Sequence, residues 1–141
     1  MKNRKRLIIG VMIAAVLLLS LAYAAFVTDL NITDVDYIHV DVMDGKYVKN
    51  KTISFNELVN IGYYTRKRLD VHLMVMNPLK ILDDYLTLNI EYLTVHVDIK
   101  DDLEKVFKKC KEYGVKVGLA VNPSDNVDIV FPYLEKLDLV L

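Results

Sequence analysis

The chain has 141 residues, room for one domain of ordinary size, and carries 18 basic side chains, 19 acidic ones and a single cysteine. Lys2, Arg4, Lys5 and Arg6 precede the first acid, Asp29, so residues 27–141 hold 14 of the 18 basic and all 19 acidic side chains, a net of −5. An acidic body with no basic stripe argues against nucleic acid, whose binding neutralises phosphates, and the lone Cys110 excludes an intrachain disulfide or a cysteine zinc site.

Residues 1–26 stand apart from the rest of the chain. A basic start runs into LIIGVMIAAVLLLSLAYAAF, residues 7–26, which carries no charge. As a helix this is long enough to cross a bilayer core of roughly 30 Å. Ala22-Tyr23-Ala24 also fits the small-x-small cleavage site of a secretory signal. The expectation is an N-terminal hydrophobic helix, transmembrane or signal-like, that associates with a membrane through residues 7–26 and keeps its basic end cytoplasmic. Residues 27–36 read as a polar connector.

From Tyr37 the pattern changes to strands and helices in alternation. In YIHVDVMDG the polar and apolar residues alternate, which places His39, Asp41 and Met43 on one face of a strand and Ile38, Val40 and Val42 on the other, before Asp44-Gly45 makes a turn. Ser54-Phe55-Asn56-Glu57 has the form of a capping box, opening a helix predicted to run to about Arg68. Leu69–Val75 is the second strand, with Asp70, His72 and Met74 on one face. Asn77-Pro78 then reads as a cap and first turn of a helix with Leu79, Leu82, Tyr85 and Leu86 as its stripe.

Tyr92–Val97 is the third strand. Asp101–Tyr113 is the clearest helix, with acids in its first turn, lysines in its last, Cys110 on its apolar face and Gly114 as its stop. Val115–Val121 is the fourth strand, 124–136 a helical turn region broken at Pro132, and Leu137–Leu141 the start of a fifth. Strands alternating with helices imply parallel βαβ units. An open parallel sheet leaves its inner face bare, so a second chain or a homo-oligomer is expected to cover it.

Two imidazoles and a carboxylate, His39 and Asp41 on one strand and His72 on the next, could converge on a divalent metal such as zinc, manganese, iron or cobalt. A polar cluster of purely structural role is the competing reading of the same residues. His96 reads as a hydrogen-bonded core histidine.

YIHVDVMDG, LDVHLMV at 69–75, YLTVHVD at 92–98 and VGLAVNP at 117–123 together resemble ribulose-phosphate 3-epimerases, over about residues 35–141 and in that family's order. The resemblance implies a partial (β/α)8 TIM barrel of about five parallel strands over residues 37–141, since a complete barrel usually needs 200 residues or more. It implies that His39, Asp41 and His72 are metal ligands, a set completed by a second aspartate from the seventh strand, and that Asp41 is also one of two acid/base groups. The implied reaction is metal-dependent epimerisation at C3 of D-ribulose 5-phosphate and D-xylulose 5-phosphate, with Met43, Met74 and Asn122 lining the sugar phosphate site. D-allulose-6-phosphate 3-epimerase shares these motifs, and a metal-binding, membrane-attached remnant without turnover is the alternative from another class. The family's substrates are cytosolic, so resemblance implies a cytoplasmic location where residues 7–26 imply a membrane. The loop after MDG usually reads close to HFVPN in the family and is Lys46-Tyr47-Val48-Lys49-Asn50 here. The glycine-rich phosphate loops and second aspartate have no counterpart in the sequence, so activity of this chain alone is expected to be impaired.

Overall fold

The computed structural model describes residues 35–65 and 67–141. The chain divides into Met1–Val35 and Asp36–Leu141, and every described element lies in the second unit. The expected hydrophobic helix at 7–26, and most of the 27–36 connector, fall outside the described residues. Among the described residues no helix is long and apolar enough to cross a membrane.

Five strands form one parallel sheet in the order β1 to β5: Tyr37–Met43, Arg68–Met74, Ile90–His96, Lys116–Ala120 and Leu139–Val140. Between them run α1 (Phe55–Tyr64), a 3-10 turn at Pro78–Lys80 followed by the short α2 (Leu82–Tyr85), α3 (Leu103–Glu112) and a 3-10 segment at Val127–Lys136. Sequential parallel strands joined by helical crossovers are the arrangement of a partial α/β barrel.

Alternation sorts the strands into two faces. Val40, Val42, Leu69, Val71, Leu73, Leu93, Val95, Val117 and Leu119 point toward the helices and form one core with Leu58, Leu82, Tyr85, Val106, Phe107 and Cys110. Removing these side chains from water is the main term holding the sheet to its helices. The opposite face carries the polar residues. In β1 they are exposed, as expected of a bare inner face, but His72, Thr94, His96 and Ala120 on β2 to β4 are buried.

Helix boundaries follow the caps. Ser54 accepts from the backbone N–H of Glu57, whose carboxylate accepts from the Ser54 N–H at 2.7 Å, completing the predicted capping box. The helix ends at Tyr64, short of the predicted Arg68, because Thr65 is already extended (ψ 144°) and the next strand starts at Arg68. Asn77 makes no cap. Its amide donates to Asp101 at 3.2 Å instead, and the predicted continuous helix becomes a 3-10 turn and a single α-helical turn. Asp102 caps α3 by accepting from the Glu104 N–H at 3.0 Å, and Gly114, at φ 69°, ends it in the left-handed conformation. Pro132 sits inside the 3-10 segment, where its missing N–H prevents a regular α-helix.

After β1 the chain makes a closed loop. Gly45, at φ 75°, turns it, and Asp44 Oδ1 accepts from the backbone N–H groups of Lys46 and Tyr47 at 2.7 and 2.9 Å. The loop's return is clasped by Thr52, whose hydroxyl donates to the Asp41 carbonyl at 2.6 Å and accepts from the Met43 N–H at 2.9 Å.

Candidate active site

Register brings the polar residues together. Across the sheet Asp41 pairs with His72, His72 with Thr94, and Thr94 with Gly118, while two residues earlier on β1 His39 pairs with Asp70. Each histidine of the first two strands therefore faces a carboxylate on its neighbour. His39 Nδ1 lies 2.8 Å from Asp70 Oδ2, and His39 Nε2 lies 3.2 Å from Asp41 Oδ1. His72 Nδ1 reaches the same Asp41 oxygen at 3.1 Å. One ligand atom from each of His39, Asp41 and His72 falls within 4.8 Å of the other two.

The two imidazoles differ electrically. Burial alone would lower the pKa of His39, but its hydrogen bonds to Asp70 and Asp41 outweigh that and raise it. His72 goes down, because burial dominates over the attraction of Asp41. A neutral His72 donates from Nδ1 to Asp41, leaving Nε2 buried with no hydrogen-bond partner among the described residues.

This donor set fits a divalent cation. Two imidazole nitrogens and a carboxylate oxygen suit zinc, manganese, iron or cobalt. The second nitrogen of His39 is held by a carboxylate, which is how metal-bound histidines are usually oriented.

Known proteins share the stretch of chain that builds this sheet. The model of the ribulose-phosphate 3 epimerase family matches residues 12–141. The chain belongs to the ribulose-phosphate 3-epimerase family. Ribulose-phosphate 3-epimerase of Synechocystis sp. is 38% identical over 108 residues, covering 75% of this chain and 47% of that protein. The Bacillus subtilis epimerase is 34% identical over 127 residues, covering 88% of this chain and 58% of its own length. The Schizosaccharomyces pombe epimerase is 33% identical over 109 residues, covering 75% and 48%. The chain thus spans about half the length of the curated epimerases it matches.

Other residues singled out in the sequence fall near the C-terminal ends of the strands, where barrels of this type carry their sites. Met43 and Met74 pair across β1 and β2 two residues beyond Asp41 and His72, Met43 half-buried and Met74 buried. Asn122 follows β4 and belongs to a second polar group. Its amide donates to Asp98 at 3.3 Å and to Asp125 at 3.0 Å, and the Tyr47 hydroxyl donates to Asp98 at 2.7 Å. Burial and the neighbouring Asp98 push the Tyr47 hydroxyl up to about 12.

His96 corrects an expectation. It is buried, yet neither ring nitrogen has a hydrogen-bond partner among the described residues. Its ring stacks on His72 at 4.9 Å between centroids (23° between planes) and meets Tyr47 at 4.9 Å. Burial, and then His72, lower its pKa, so it packs as a neutral ring. Sequence reasoning misses the partnership of Asp70 with His39 and the link from Tyr47 to Asp98. The first is readable from strand spacing once β1 and β2 are set side by side; the second has no local signal.

Proposed function

We propose that this chain carries one side of a metal-dependent sugar-phosphate 3-epimerase site. The substrates would be D-ribulose 5-phosphate and D-xylulose 5-phosphate, interconverted by removing the C3 proton and returning it to the opposite face. The observation that carries the reading is the convergence of His39 Nε2, Asp41 Oδ1 and His72 Nδ1 on one point.

His39, Asp41 and His72 would hold a divalent cation. When bound, it would stabilise the negative charge that develops on substrate oxygen as the proton leaves. Asp41 is the acid/base on one face, because its carboxylate is 44% exposed and so open to substrate. Asp70 keeps His39 oriented, and Met43 and Met74 form an apolar wall that keeps water from the reacting carbon. Asn122 would meet the polar side of the sugar. Inversion needs an acid/base on each face, and Asp41 supplies one of them.

The test combines metal titration with deuterium exchange at C3 of D-ribulose 5-phosphate in heavy water. One cation per chain and measurable exchange, both lost in Asp41→Asn, are expected. Metal uptake without exchange would leave a binding module rather than an enzyme, and uptake that survives His72→Ala would remove the basis of the proposal.

A further inference from the structure

His39 and His72 are held in different ways. The imidazole of His39 is fixed from behind by Asp70 at 2.8 Å. His72 has no such partner, since its Nε2 is buried without a hydrogen bond among the described residues. What lies against its ring face is His96, nearly parallel at 4.9 Å, and against His96 lies Tyr47, again at 4.9 Å. Tyr47 is anchored at both ends, by its backbone N–H to Asp44 at 2.9 Å and by its hydroxyl to Asp98 at 2.7 Å.

His96 is an expensive residue for this position. It is 7% exposed and leaves both ring nitrogens unpaired among the described residues, and a buried polar atom without a partner costs stability that leucine would not. What leucine lacks is a flat face. A flat ring stacked on the imidazole limits how it can turn about its contact with Asp41.

We propose that Tyr47 and His96 are positioning residues for His72, the His96 ring stacked on it and the Tyr47 ring tilted against His96 doing for that imidazole what the Asp70 hydrogen bond does for His39. The consequence for cation affinity rests on the reading of His72 as a ligand. The effect on the ring itself does not.

Nitrogen NMR of the histidine rings in the full, metal-free chain separates the two. In the parent chain His72 should show one tautomer, with the proton on Nδ1. In His96→Leu and Tyr47→Leu its two nitrogen signals should move toward an average, and His96→Phe, which restores a flat ring, should return them. Cobalt affinity should fall about 10-fold in both leucine variants, the size of effect seen when groups that orient a ligand are removed, and stay at the parent value in His96→Phe. If His96→Leu fails to fold, Tyr47→Leu at its half-buried site gives the same reading. His72 signals unchanged in the leucine variants would overturn the proposal. Altered signals in a chain whose parent takes up no cobalt would support the positioning role and refute the cation site instead.

Discussion

Replacing Asp70 by asparagine isolates the charge that holds His39. The side chains are isosteric, and the asparagine oxygen can still accept from Nδ1, so the variant removes charge and little else. A hydrogen bond to a charged group contributes about 1.5–3 kcal/mol. The His39 side chain is 47% exposed and that of Asp70 22%, so solvent screening brings the expected loss down to about 1 kcal/mol. The sign follows from the direction of the shift. His39 is raised above its ordinary value of 6.5 in the folded chain, so its contribution is fully present below that value and disappears as pH rises through the raised one. Asp70→Asn should therefore lose about 1 kcal/mol near pH 5.5, or about 4–8 °C in Tm for a domain of this size, and almost nothing near pH 9. Denaturant unfolding at both pH values, with an NMR titration of His39, makes the measurement. Equal losses at the two pH values, or a His39 that titrates identically in both chains, would refute the reasoning.

Two further outcomes rest on packing. Gly118→Ala should destabilise by about 1–3 kcal/mol or more, as overpacking does, because the added Cβ would lie 2.1 Å from Thr94 Oγ1 and 2.9 Å from Thr94 Cβ, which no rotation of Thr94 can move aside. Thr94→Gly in the same chain should recover part of the loss, and unchanged urea midpoints would count against the close approach. Cys110 is fully buried, and burial pushes its thiol up to about 12. Its reaction with a disulfide reagent at neutral pH should wait on unfolding, so fast labelling of native protein would contradict the helix packing.

Much of this is legible in the sequence because the signals are local. The alternation in Tyr37–Met43 and Arg68–Met74 fixes which side chains share a face, and that alone brings His39, Asp41 and His72 to one side of neighbouring strands. The Ser54 capping box and the Gly114 stop likewise depend on residues a few positions apart. What escapes are choices between partners distant in sequence. Asn77 has a local role open to it as a cap and takes Asp101 instead, 24 positions on. Tyr47 meets Asp98 across 51 positions and Asn122 across 75, and no pattern in the loop announces either. His96 departs from the expected hydrogen-bonded role, which buried histidines usually fill, because ring contacts take that place here.

The Thr52 clasp has a consequence for how this protein can change. By gripping the strand at Asp41 and Met43, it seals the base of the loop that carries Lys46 to Asn50. Substitutions at Lys46, Val48, Lys49 and Asn50, the loop positions other than Tyr47, can vary what the loop presents while the carboxylate of Asp41 stays where it is. Selection could thus tune four of the five rim positions one at a time, with Tyr47 as the position tied to the histidines beneath.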